Sequence, residues 1–304
     1  MRVLLVLLLL ASCGQPAEKA GDAGAIRVGV TVLTMTHPFF LDLVDALQQE
    51  ADANGIEVML VSGEFDIAKQ QNQIADFIVQ GVDALIVTPT DSRAIGTSIA
   101  EANRAGIPVF TADIAALAEG VDVVGHVGID NYDGGKKAGR AIVEMLRGQG
   151  RVGIVDHPEV ESVIERTRGF RDAIAEANAA DAAVEIVSVL PGSGSMDKAF
   201  KATEDMLQAH PDLDAIFGIN DETALGALAA IEKAGKAGRV QVVGFGGKKE
   251  AIEAVDRGAL YADVITYPRE IGRLSIQAVV AYARGESVPA VQLIPTELYT
   301  RTSN

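Results

Sequence analysis

From Ile26 onward, short β-branched runs alternate with stretches of helical period. Ile26–Val32, Ile56–Val61, Ala84–Val87 and Val109–Thr111 read as strands, with helices starting at Phe39, near Ala68 and at Ser92. In the first helix Phe40, Leu43, Val44, Leu47 and Ala51 recur at the i, i+3, i+4, i+7 spacing of one buried face. Pro38 stands in its first turn and Asn54-Gly55 at its end, the usual asymmetry of helix termini. The second helix repeats the pattern with Ile74, Phe77 and Ile78 and stops at Gly81. After a crossing near Val127–Asn131 the alternation begins again. Strands are expected at Arg151–Asp156, Val184–Leu190, Ala215–Ile219, Val240–Gly244 and Tyr261–Ile265, and helices at Val163–Ala177, Met196–Ala209, Glu222–Ala234, Glu250–Arg257 and Pro268–Arg284. One last extended piece, about Val291–Thr300, closes the pattern. Strands separated by helices of this length mean βαβ units and parallel sheets with right-handed crossovers. Two successive blocks imply two similar doubly wound α/β domains.

Ahead of this pattern, Val3–Ala11 is apolar behind Arg2, too short for the roughly 20 residues of a membrane helix. Its layout is that of a secretory leader. Leu10-Ala11-Ser12-Cys13 resembles a bacterial lipobox, so residues 1–12 are expected to be removed and Cys13, the single cysteine, to carry lipid. With no second cysteine it has no disulfide to form. Residues 14–25, small and polar, read as a flexible tether. Membrane contact is thus expected through the lipid alone, on an exported protein.

The net charge of −16 argues against binding to phosphate backbones, so no nucleic-acid partner is expected. Aromatics are sparse (5%), while Ala, Val, Ile and Gly abound, a mix suited to parallel strands under small-residue helices. In open α/β sheets ligands bind beyond the carboxyl ends of the strands. Those ends carry His37, Phe39 and Phe40 after the first strand and Thr88 after the third, then Asp113 after the fourth. In the second block they carry His157 with Arg166 one helix turn on, Asn220, Phe245-Gly246 and Thr266. Rings, amides, hydroxyls and an Asp/Arg pair suit a small polar solute. No enzyme signature accompanies them. Asp197 stands where a dinucleotide fingerprint needs glycine, and Val242 and Lys249 break a Walker loop. The four histidines lack metal spacing, and Ala141 stands where a calcium loop needs glutamate. No catalytic residue, cofactor or metal is expected.

His37-Pro38-Phe39-Phe40, Gly81 to Asp91, Ala105 to Val109, Asp130-Asn131 with Gly134-Gly135, Glu165-Arg166-Thr167 with Gly169-Phe170, Asn220-Asp221-Glu222 with Ala224 to Ala227, and Val243-Gly244-Phe245 occur in that order. Together they resemble the ribose/galactose-type periplasmic binding proteins that serve sugar ABC importers. The resemblance implies the type I periplasmic binding fold: an N-terminal lobe of 26–129 plus 267–295 and a C-terminal lobe of 130–266 plus 296–304. A three-segment hinge would join them near Ile129–Asp130, Thr266–Tyr267 and Pro295–Thr296, and the cleft would close on its ligand. It also implies that Phe39 and Phe40 pack on a sugar face, Asp113 binds paired hydroxyls, Arg166 grips ring and hydroxyl oxygens, and Asn220 supplies an amide. The alternatives are core packing for the rings, a loop cap for Asp113, a surface pair of Arg166 with Glu161 or Glu165, and a plain helix cap for Asn220.

Departures from the pattern fall at His37, Thr88, Ile114, Gly194, Gly246 and Thr266, where the family has asparagine, asparagine, arginine, a stacking aromatic, aspartate, and glutamine or asparagine. A buried sugar hydroxyl left without a partner costs about 1–3 kcal/mol. Other groups (His37, His157, Thr88, Thr266, Lys248) would have to supply those bonds, or the ligand is not D-ribose or D-galactose. The expected role is a monomeric receptor that hands a monosaccharide or polyol to ABC permease subunits. The alternatives are a receptor reporting occupancy to a membrane kinase or chemoreceptor, or a binder of a non-sugar solute. A lac-repressor-type regulator would need a basic helix-turn-helix at the N-terminus, where leader and tether stand instead.

Overall fold

The computed structural model describes residues 25–301, so the expected leader, Cys13 and most of the tether lie outside the described residues. In chain order the first elements are β1 (Arg27–Val32), α1 (Pro38–Ala53), β2 (Glu57–Ser62), α2 (Ile67–Gln80), β3 (Ala84–Val87), α3 (Gly96–Arg104), β4 (Val109–Ala112) and β5 (Gly125–Ile129). Then follow α4 (Asn131–Met145), β6 (Gln149–Asp156), α5 (Glu161–Ala179), β7 (Ala183–Pro191), α6 (Met196–Ala209), β8 (Ala215–Gly218), α7 (Asp221–Lys233), β9 (Gln241–Gly246), α8 (Lys249–Asp256) and β10 (Ala262–Ile265). α9 (Pro268–Ala283), β11 (Val291–Ile294) and β12 (Glu297–Thr300) complete the order.

The strands form two sheets of equivalent topology, β11-β5-β4-β3-β1-β2 and β12-β10-β9-β8-β6-β7. Every pairing in the first is parallel; in the second β12 runs antiparallel to β10. β1 lies between two apolar neighbours, with Val30 beside Leu60 on one side and Ile86 on the other. Strands covered by helices on both faces need apolar residues at every position, and β3, β4 and β8 are buried throughout. The chain passes between the sheets after β5, after β10 and between β11 and β12. Helix α9 therefore returns to pack its Ile271, Ile276 and Val279 into the core of the first sheet. In the same way the buried Ala138, Ala141 and Ile142 of α4 join the second.

Three elements differ from the sequence reading. Helix α4 is absent from it because Gly134, Gly135 and Gly139 replace the expected apolar stripe. Those glycines exist for close approach: a Cβ on Gly135 would overlap the Arg166 carbonyl of α5, and one on Gly169 of α5 would overlap the Tyr132 carbonyl of α4. The run from Asp130 to Gly135, whose spacing to Ala141 excludes a calcium loop, is the start of this helix, where Asp130 accepts the Asp133 N–H as an N-cap. Helix α3 begins at Gly96 rather than Ser92, because Asp91 first caps a turn by accepting the N–H groups of Arg93 and Ala94. The last extended piece is two strands, one in each sheet, split at Pro295-Thr296.

Candidate functional site

The carboxyl ends of the two sheets face each other around a cavity of about 630 Å3, within the roughly 300–1,000 Å3 typical of small-molecule sites. His37, Phe39, Phe40, Asp113, His157, Arg166, Asn220, Phe245, Gly246 and Thr266 all line it. Thr88 does not. Gln70 pins the loop after β3 by donating to the Thr88 carbonyl (2.9 Å) and accepting the Thr90 N–H (2.8 Å), and the Thr88 side chain is buried beneath it.

The first lobe contributes an apolar wall. His37 caps α1 with Nδ1, which accepts the Phe39 N–H at 3.2 Å, and so sets the two rings that follow. Phe39 and Phe40 meet edge to face at 5.1 Å, with Phe40 buried and Phe39 half-buried. Leu33 and Ile114 extend this wall. Asp113 is its acid, held just beyond β4 in a left-handed backbone conformation (φ 64°). It is buried, and no N–H or O–H among the described residues donates to its carboxylate, so it does not act as a loop cap. Burial pushes its pKa up to about 7 against the pull of Arg166 and with a further push from Glu161.

The second lobe contributes a tied network. Arg166 points inward from α5, while Glu165 pairs with Arg168 on the outside. Its Nε and Nη2 donate to Asn131 Oδ1 at 3.3 and 2.7 Å, and Nη1 donates to the Ile219 carbonyl. The guanidinium lies 3.6 Å over the Phe245 ring. Of its five N–H groups these bonds use three, which leaves two for a solute. Burial lowers its pKa to about 10, so it stays charged at neutral pH. Asn220 is a cap and a cleft residue at once: Oδ1 accepts the Thr223 N–H in a capping box, while Nδ2 lies only 3.4 Å from the Gly194 carbonyl. Gly194 is left-handed (φ 65°), and a Cβ on it would stand 3.3 Å from Asn220 Nδ2 and 3.5 Å from His157 Nδ1, so two nitrogens crowd the place of the missing aromatic. Thr266 spends its hydroxyl on the Gly246 carbonyl (2.6 Å).

Contacts the sequence reading missed hold the lobes together across the cleft. Ser92 N–H donates to the Glu159 carbonyl (3.0 Å), Ser92 Oγ accepts the Glu161 N–H (2.8 Å), and Glu161 accepts the Ala115 N–H (3.3 Å). At the rim His37 Nε2 lies 3.8 Å from Glu222 Oε1, which Lys248 holds at 3.0 Å. Burial lowers the His37 pKa, opposed by Glu222; burial likewise lowers that of His157, opposed by Glu159. Phe65, exposed at the mouth in a left-handed conformation, and Tyr267 also line the cavity. His126 lies elsewhere, in a second cavity of about 320 Å3, bonded to Thr111 at 2.9 Å and held by burial at a pKa of about 4. Tyr132 borders that cavity and donates to Asp172 (2.9 Å).

Two equivalent lobes closing end-on around an acid, a guanidinium and aromatic rings make a bilobed solute receptor. The chain belongs to the periplasmic binding proteins: the model of the periplasmic binding protein domain matches residues 28–287. The ribose import binding protein of Bacillus subtilis is 34% identical over 304 residues, covering 98% of this chain and 96% of that protein. An ABC transporter solute-binding protein of Bacillus halodurans, solved with bound myo-inositol, is 30% identical with a TM-score of 0.84 and covers 92% of this chain and 96% of its own. The fructose-binding periplasmic domain of a hybrid two-component system aligns at 26% identity with a TM-score of 0.84, covering 91% of each chain.

Proposed function

We propose that this protein is the extracytoplasmic receptor of an ABC importer, enclosing one monosaccharide or polyol between its lobes and presenting it to a membrane permease. The observation that carries the reading is the pairing of an unbonded buried carboxylate, Asp113, with a half-used guanidinium, Arg166, on opposite walls of one cavity. A carboxylate accepts two hydroxyl protons and a guanidinium donates to ring or hydroxyl oxygens in charge-assisted bonds. Phe39 and Phe40 would pack on the C–H face of the solute, and Asn220 and His157 would reach the opposite side. The ligands named for the relatives, ribose and myo-inositol, support this substrate class. The cleft makes and breaks no bond. The leader and Cys13 would export and tether the chain as a lipid-anchored monomer, with no nucleic-acid partner. Occupancy sensing is the second reading, supported by the similarity to a two-component sensor domain.

Thermal-shift screening against pentoses, hexoses, polyols, inositols and nucleosides tests the proposal. A ligand at 100 times its Kd adds about 2.7 kcal/mol, several degrees of Tm. A shift from one sugar or polyol, abolished in Asp113→Ala and Arg166→Ala, is expected. A shift only from another chemical class would overturn the sugar reading.

A further inference from the structure

Beside Phe245 and Gly246 two aspartates lie together, of which Asp221 itself borders the cavity. Asp221 opens α7 and Asp263 sits within β10; both are almost fully buried, at 3% and 0% exposure. Their Oδ2 atoms are occupied by one turn of backbone: Lys248 N–H donates to Asp221 and Gly247 N–H to Asp263, each at 2.8 Å. Each Oδ1 is buried with no N–H or O–H donor among the described residues, and the two carboxyls lie within hydrogen-bonding reach of each other. Room for them exists because two neighbouring residues lack side chains. A Cβ on Gly246 would overlap the Asp221 carboxyl, and one on Gly244 would stand 2.5 Å from Asp263 Oδ1. Gly246 thus admits Asp221, and Gly244 admits Asp263.

The groups facing the pair do not neutralise it. Arg166 of α5 attracts both carboxylates but bonds to neither, its guanidinium being engaged with Asn131 and Ile219. Lys248 turns its ammonium to Glu222 (3.0 Å) and Glu250 (3.8 Å), and Glu222 adds negative charge from α7 itself. The Thr266 hydroxyl of the crossing segment is spent on the Gly246 carbonyl. Two carboxylates this close in a water-poor interior cannot both stay ionised.

We propose that Asp221 and Asp263 share one proton between their Oδ1 atoms, and that Asp263 is a positioning residue whose carboxyl clips the Gly246–Lys248 turn to the cleft wall behind Arg166. Burial raises Asp221 to about 6 and Asp263 well above the usual carboxylate range, in keeping with one shared proton. The folded pair therefore holds a proton that unfolded aspartates, with pKa values of about 4, have released. Its contribution to stability falls as pH rises from about 4 until the folded pair releases that proton, above 6. The effect on solute affinity rests on the receptor reading; the shared proton does not.

Infrared spectroscopy and pH-dependent unfolding of the full chain test the proposal. Because Asp113 also titrates near 7, the spectra are taken in an Asp113→Asn background. The C=O stretch of a protonated carboxyl is expected at pH 7 and disappears on adding Asp263→Asn. In otherwise native protein, Asp263→Asn, which keeps a donor to Asp221, flattens the fall of Tm between pH 5 and 8; Asp263→Ala lowers Tm throughout. With D-ribose, D-allose and myo-inositol as probes, Asp263→Ala weakens binding about tenfold and Asp263→Asn restores most of it. No band lost on Asp263→Asn, or an unchanged pH slope, overturns the shared proton. Equal affinities in Asp263→Ala and native protein overturn the positioning role. If the band and slope behave as expected but no probe binds, the shared proton stands and the receptor reading for these solutes fails.

Discussion

The two walls of the cleft solve the same problem in opposite ways. The first lobe offers rings and one acid that nothing among the described residues satisfies; the second offers polar groups already tied to one another. Arg166 is fixed by Asn131, Ile219 and Phe245, and Asn220 by its own helix turn. Donors pre-ordered in this way lose little freedom on binding. Asp113, by contrast, waits for a partner and destabilises the empty protein. The solute then completes the first wall and is read by the second.

Removing Arg166 should break this contrast most severely. Arg166→Ala leaves Asn131 Oδ1 and the Ile219 carbonyl without their buried donor and loses the charge behind Asp113. Loss of a buried, hydrogen-bonded ion costs about 3–5 kcal/mol, so urea unfolding should move by that amount and calorimetry should detect no solute. Asp113→Asn is expected to cut affinity by about ten- to a hundredfold yet raise stability. The sign follows from its raised pKa. The folded carboxyl keeps its proton to about 7 whereas the unfolded one loses it near 4, so its destabilisation grows as pH rises between those values. Asn should therefore match the native chain near pH 4 and exceed it by roughly 4 kcal/mol at pH 8, read by denaturant midpoints at both pH values.

Gly135→Ala addresses the second lobe alone. Its methyl would strike the Arg166 backbone, and overpacking of this kind costs about 1–3 kcal/mol. Affinity should fall with it, since α5 carries the guanidinium, whereas the pH profile attributed to Asp113 should remain. Ser92→Ala should have the smallest effect. It removes the acceptor of one cross-lobe hydrogen bond, worth about 1 kcal/mol, and should weaken solute binding about fivefold with the midpoint nearly unchanged.

The architecture was legible because parallel strands buried on both faces and one-sided helices write period into the chain, as in α1 with Phe40, Leu43 and Leu47. Helix α4 escaped because close packing against α5 replaces apolar side chains with glycines, which carry no periodic signal. Strand-end reasoning placed Asp113, Arg166 and Asn220 beside one cavity, as proposed ligands. It misplaced Thr88, since a strand end tied down by Gln70 looks in sequence like one that faces a cleft. Asp263 carried no signal at all. A buried acid in β10 depends on the glycine at 244, one strand away, and only the register of β9 against β10 sets Asp263 beside it.

The central claim is that both walls close on one solute, and a lobe-to-lobe distance measures it directly. With Cys13 replaced by Ser the chain has no other cysteine, so spin labels can be placed at Lys69 on α2 and Lys201 on α6. Pulsed dipolar spectroscopy is then run with and without the strongest solute from the thermal screen. The account predicts a broad distribution reaching longer distances without solute and one narrow population, matching the closed arrangement, with it. A solute that raises Tm while leaving the distribution unchanged would contradict it.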